Sequence, residues 1–98
     1  MTIIDPNILH CANSDQAAAV NAVLQERNYQ DKKWGTIQER PREVGTYLTL
    51  MRALLSNAEQ AFAKSVGDEL ALAELRKVVA VGIACFEQHG VPTREDKQ

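Results

Sequence analysis

What the chain lacks narrows it before anything else does. Two cysteines, Cys11 and Cys85, cannot build the disulfide framework of a small secreted domain, so reduced thiols in a cytoplasmic protein are expected. No stretch reaches the roughly 18 consecutive apolar residues of a membrane span. The opening Met1-Thr2-Ile3-Ile4-Asp5-Pro6 carries neither the basic residues nor the long apolar run of a secretory signal. Neither sign of charge dominates: 11 Lys+Arg against 13 Asp+Glu give −2. Without a basic excess to neutralise a phosphate backbone, nucleic-acid binding is not expected. There is no glycine-rich phosphate loop, no Gly-x-Ser-x-Gly nucleophile turn, no internal repeat and no low-complexity stretch.

What remains is one domain of 98 residues, 45% hydrophobic and 24% charged, enough for a thin packed core. Glycine and proline are few (5 and 3) and divide the chain into three helical segments. Residues 1–13, with the turn-forming Asp5-Pro6-Asn7, form an N-terminal arm to which the sequence assigns no firm structure. Ser14-Asp15 starts the first helix, since short oxygen-bearing side chains accept the free N–H groups of a first turn. Ala17, Ala18, Val20, Val23 and Leu24 give it a modest apolar stripe, and Trp34-Gly35 ends it at a residue suited to a left-handed cap. Residues 35–41 read as a polar loop, with Pro41 pre-set for the first position of a second helix. Val44, Tyr47/Leu48, Met51, Leu54/Leu55, Ala58 and Phe62 then recur at steps of three and four, predicting one long amphipathic helix over 41–65.

Val66-Gly67 breaks that period and Asp68 can cap a third helix. Leu70, Leu72, Leu75, Val78/Val79, Ile83 and Phe86 give this helix an apolar face, and Val78 to Phe86 carries no charged side chain. A helix apolar on nearly all sides must be covered on more than one. Gly90 and Pro92 stop it, and residues 93–98 form a polar tail. The second and third helices span about 37 Å and 32 Å at 1.5 Å per residue, with a very short connection between them. The fold class expected is therefore all-α: three main helices with a long antiparallel hairpin. One shorter helix cannot cover both sides of such a hairpin. A second copy completing a four-helix-bundle core by homodimerisation is the simplest remedy.

Several side-chain groups could carry chemistry. Glu59 and Glu74 border the apolar faces of the second and third helices, where an antiparallel hairpin could bring them together as metal-binding or catalytic carboxylates. The alternative is that both are solvated flank residues, or paired with Arg76 and Lys77. The run Glu26-Arg27-Asn28-Tyr29-Gln30-Asp31-Lys32-Lys33-Trp34-Gly35 combines cations, amides and the lone tryptophan. Such a set could hold a nucleotide, with the ring stacked on a base and Arg27 or Lys33 on phosphates. Equally, Trp34 could be a core anchor. His10-Cys11 and Cys85…His89 match no compact zinc spacing. His89 next to Gly90 suits the free carbonyls at a helix end.

Glu26-Arg27-x-x-Gln30-Asp31-x-Lys33-Trp34-Gly35, a long helix, then Glu74-Leu75-Arg76-Lys77-Val78-Val79 running on to Phe86-Glu87-Gln88-His89-Gly90, resembles small phage and bacterial relatives of the MazG-like all-α nucleoside triphosphate pyrophosphohydrolases. The resemblance covers about residues 20–92 of the helical domain at 14–92. It implies an oligomer of helical hairpins that, when active, cleaves a nucleoside triphosphate to monophosphate and pyrophosphate. Active members hold Mg²⁺ through Glu-x-x-Glu on one helix and Glu-x-x-Asp on the next. Steps of three put both carboxylates of each pair on one helix face. Here the slot ending at Glu59 begins with Ser56, and the slot beginning at Glu74 ends with Lys77. A cation thus stands where an aspartate would bind metal, and it can pair with Glu59 or Glu74 instead.

Three readings follow. In the first, the chain is a MazG-like oligomer whose metal site has become an ion-pair cluster, a non-catalytic binding or accessory protein needing no cofactor. In the second, an Mg²⁺-dependent pyrophosphohydrolase survives, with Glu59 and Glu74 catalytic or metal-bound and Arg27, Lys33, Trp34 and Lys77 holding a nucleotide. In the third, the chain is a protein–protein interaction module.

Overall fold

The computed structural model describes residues 13–94, which form three helices and no strand: α1 (Ser14–Trp34), α2 (Val44–Lys64) and α3 (Glu69–His89). Residues 1–12 of the expected arm, His10 and Cys11 among them, and residues 95–98 of the expected tail lie outside the described residues. No described helix is long and apolar enough to cross a membrane.

Local chemistry sets each boundary. Asn13, not Ser14, caps α1: its Oδ1 accepts the Gln16 amide at 2.8 Å, while Gln16 Oε1 accepts the Asn13 amide at 3.0 Å. The reciprocal pair satisfies two donors that a helix start leaves free. Gly35 ends α1 at φ +90° and ψ 159°. That is an extended backbone at positive φ, rather than the expected left-handed cap, and essentially only glycine adopts it.

The loop that follows contains a second reciprocal cap. Thr36 Oγ1 accepts the Glu39 amide at 3.2 Å, Glu39 Oε1 accepts the Thr36 amide at 3.0 Å, and the Arg40 amide closes on the Thr36 carbonyl. This single turn cannot continue, because Pro41 has no N–H to donate. Proline therefore ends that turn rather than opening the second helix, and α2 begins at Val44, three residues later than Pro41 suggests. Asp68 does sit at the N-cap of α3, but only its carbonyl takes part, accepting the Leu72 amide at 2.9 Å.

Helices α2 and α3 form the expected antiparallel hairpin. Its register is given at one end by Tyr47, whose hydroxyl donates to Gln88 Oε1 at 2.7 Å. At mid-length Met51 Cε lies so close to Gly82 that a Cβ there would meet it at 3.3 Å. The core holds Tyr47, Val81 and Ala84, with Trp34, Ile37, Leu50, Met51, Leu54 and Cys85 packed around them. Burying such side chains contributes roughly 1.5–3 kcal/mol for each large one.

The apolar period of each hairpin helix is split between two destinations. On α2, Tyr47 and Ala58 are buried, whereas Leu48, Leu55 and Phe62 are exposed. On α3, Val78, Ala80, Val81 and Ala84 are buried, whereas Leu72, Leu75, Val79 and Phe86 are exposed. Helix α1 covers the other side of α3, and its fully buried residues there are polar, with Trp34 at its end packed against the core. Its buried members are Glu26, Arg27 and Gln30; of the expected stripe, Ala17, Ala18 and Val20 face solvent while Val23 and Leu24 are half-buried.

Candidate functional site

A groove of about 600 Å³ runs where the three helices meet. From α1 it receives Glu26, Tyr29, Gln30, Lys33 and Trp34; from α2, Leu54, Asn57, Gln60 and Ala61; from α3, Glu74, Arg76 and Lys77. The residue types follow from helical geometry. Leu54, Asn57 and Ala61 lie at steps of three and four on α2, adjoining the buried Ala58 on one side.

The charges in the groove are matched pairwise. Lys77 Nζ stands 3.0 Å from Glu74 Oε1, one helical turn back on α3. Arg76 Nε donates to Glu26 Oε1 at 3.1 Å, tying α3 to α1, and Glu26 is only 8% exposed. Gln30 Nε2 donates to the Lys77 carbonyl at 3.1 Å, a bond between two helices from a side chain 4% exposed. Lys33 is the cation without such a partner among the described residues. Its ammonium lies 6.0 Å from the Tyr29 ring centre and 5.9 Å from that of Trp34. Those distances are the outer limit of cation–π attraction.

The residues expected from the sequence divide among three places. Lys33, Trp34, Glu74 and Lys77 share the groove. Trp34 is also a core anchor, packed against the Tyr47, Val81 and Ala84 cluster, so both readings of it hold. Glu59 is elsewhere: it lines a separate groove of about 490 Å³ with Leu55, Phe62, Asp68, Leu72 and Leu75. Arg27 is buried and committed, donating through Nε to Glu87 at 2.6 Å and through Nη1 to Asp31. Burial opposes its charge, but the hydrogen bonds to Asp31 and Glu87 outweigh that and hold its pKa above the ordinary arginine value.

The α2 residues that meet Glu74 and Lys77 in the groove are thus Asn57 and Gln60, not Ser56 and Glu59. Sequence reasoning missed them because one residue on a helix is a rotation of about 100°. Ala58 is already on the predicted apolar face, but it borders Glu59 as well as Asn57, so the spacing alone does not separate the two sides.

This donor set does not suit Mg²⁺. That ion takes near-octahedral oxygen ligands, usually including a free carboxylate. The groove offers two carboxylates, Glu26 and Glu74, each held by a cation, and two amides in Asn57 and Gln60. Among the described residues no three His, Cys, Asp or Glu side chains cluster as metal ligands would.

A second polar cluster clasps the loop to the far end of the hairpin. Gln88 Oε1 accepts both the Tyr47 hydroxyl and the Arg42 amide, the latter at 3.1 Å, and His89 Nε2 meets the Arg42 carbonyl at 2.7 Å. His89 thus engages a carbonyl of the loop rather than those ending its own helix. No protein-family model, curated protein or solved structure matches this chain, so its functional reading rests on these residues.

Proposed function

We propose that the chain is a non-catalytic binding or accessory protein of MazG-like type, acting in the cytoplasm as a helical homo-oligomer. In this reading the groove between its helices descends from a metal-dependent nucleotide site. The observation that carries the proposal is the Lys77–Glu74 ion pair inside the groove, at 3.0 Å. In the active enzymes that Lys77 position is an aspartate on Mg²⁺. A fixed ammonium supplies positive charge, but it does not coordinate a water and lower its pKa as a divalent metal does. Asn57 and Gln60, facing the same space, are neutral where metal-binding glutamates would stand. The oligomer is a dimer in which a second copy covers the open apolar side of α2 and α3, completing a four-helix core.

Incubation with a panel of NTPs and dNTPs plus Mg²⁺ or Mn²⁺ tests this, with pyrophosphate as the readout. No release above the buffer rate is expected. Release that disappears in Glu74→Ala would establish the pyrophosphohydrolase reading instead.

Binding without turnover has its own support in Lys33, set between Tyr29 and Trp34 at the groove's edge. An anionic ligand with a flat ring could use the ammonium and the aromatic faces together. A thermal-shift screen with nucleotides, in the presence and absence of metal, should give metal-independent stabilisation that is lost in Lys33→Ala. No shift with any nucleotide would favour a pure protein-interaction module.

A further inference from the structure

The side of the hairpin away from α1 carries two exposed apolar stripes. On α2 it is Leu48, Leu55 and Phe62, exposed by 60%, 45% and 62%; on α3 it is Leu72, Val79 and Phe86, exposed by 60%, 42% and 49%. Each steps by seven residues, so each runs nearly straight along its helix. The first is centred on Leu55 and the second on Val79. The Tyr47–Gln88 bond and the Met51–Gly82 contact bring Leu55 and Val79 to the same height in the antiparallel pair. The two stripes therefore share one midpoint.

Beside the α2 stripe stand Arg52 and Glu59, three residues before and four after Leu55, both exposed. Neither is in an ion pair among the described residues. We propose that a second copy docks on this face about a twofold axis that crosses the helices at the Leu55–Val79 level. Helix α2 then lies antiparallel on the partner's α2, and each Arg52 meets the partner's Glu59. This rests on the homodimer reading above and adds to it the axis, the register and the charge pair.

The shared midpoint is what such an axis requires. A twofold across the helices reverses each stripe onto its copy, laying Leu48 on the partner's Phe62 and Leu72 on the partner's Phe86. On both helices an aromatic ring then faces a leucine, and the same operation brings Arg52 and Glu59 together twice. A twofold along the helices would instead lay α2 over the partner's α3. Arg52 would then face the level of Gly82, within a stretch from Val78 to Phe86 that has no charged side chain. The area is in range: fully covering these six side chains, two of them aromatic and all 42–62% exposed, removes at most on the order of 600 Å² per copy. With the flanking charges this approaches the roughly 800 Å² per partner of a standard interface.

Sedimentation equilibrium of the full chain across about 1–100 μM, at near-physiological salt, reads the dimer constant directly. The wild type should dimerise in this range. Arg52→Glu and Glu59→Arg should each weaken the dimer about tenfold or more, because each sets like charges together twice. Circular dichroism checks that the variants keep their helices. Mixing the two single variants makes every Arg52–Glu59 contact opposite in sign again, so the mixture should recover dimer to within about threefold of wild type, as should the double swap. Single variants that dimerise like wild type, or a mixture no tighter than its components, would overturn the register and leave the homodimer standing. A wild type that stays monomeric throughout would overturn both.

Discussion

The attachment of α1 to the rest of the fold is open to a direct test, because its fully buried residues are polar. Arg27 is 6% exposed and bridges Asp31 on its own helix to Glu87 on α3. Truncation in Arg27→Ala removes two charge-assisted hydrogen bonds and a packed aliphatic stem. Each such bond contributes roughly 1.5–3 kcal/mol where both partners are dry. Here the acceptors are wet, with the Asp31 and Glu87 side chains 31% and 41% exposed, so both carboxylates rehydrate and the loss falls to about 2–3 kcal/mol in all. Glu87→Gln, which leaves Arg27 its Asp31 partner, should cost about 1 kcal/mol. The double substitution should cost less than the two losses added, since both remove the same bond. Urea unfolding followed by circular dichroism measures the three differences, and amide hydrogen exchange locates them. The α1 amides around Gln30 should lose protection before those of the α2–α3 core. An Arg27→Ala protein within about 0.5 kcal/mol of wild type, with α1 still protected, would refute polar docking.

Three further outcomes follow from the same geometry. Asn57→Glu with Gln60→Glu and Lys77→Asp should create measurable Mg²⁺ or Mn²⁺ binding by calorimetry, whereas Ser56→Glu with Lys77→Asp should not, because Ser56 does not line the groove. Gln88→Ala strands the hydroxyl of Tyr47, which is 1% exposed, and should cost about 1–2 kcal/mol, lowering Tm by roughly 5–15 °C; adding Tyr47→Phe should then cost little more. Glu39 is held below the ordinary glutamate range by the Thr36 amide and hydroxyl. Its contribution to the 36–40 turn is thus present above roughly pH 4.3 and lost as the pH falls through Glu39's own lower value. An NMR titration of the Thr36 amide should show a midpoint below that of a free glutamate, and a midpoint at the free value would refute the cap.

The helices were legible because their signals are local. Steps of three and four from Val44 to Phe62 mark α2, Gly35 and Gly90 stop their helices, and the short 65–68 connection makes the hairpin antiparallel. The docking of α1 was not legible, and the physical cause is its polarity. Hydrophobic period assigns Ala17, Ala18, Val20, Val23 and Leu24 to the inner face, yet only Val23 and Leu24 are half-buried, and the side-chain bonds that hold this helix join Glu26 to Arg76, Arg27 to Glu87 and Gln30 to the Lys77 carbonyl. Charges and amides show no inward preference until a partner is beside them, and these partners lie about fifty residues or more along the chain.

The same distinction explains why the groove was half read. Glu74 and Lys77 sit on one helix three residues apart, so their pairing is a local fact that spacing alone predicts. Which α2 residues oppose them is a question of rotation about the helix axis, and the apolar pattern leaves it open. Tyr47, Met51, Leu54 and Ala58 face the core, while Leu48, Leu55 and Phe62 form an equally regular stripe outside it. Both stripes fit one amphipathic helix, and only the seating of α1 decides between them. Once α1 occupies one side, Asn57 and Gln60 turn towards Lys77, and Glu59 turns out with Leu55 and Phe62. A carboxylate that spacing assigns to the metal slot thereby becomes a flank residue of the open apolar face. In the dimer proposed above, its counterpart there would be Arg52 of the second copy rather than a divalent ion.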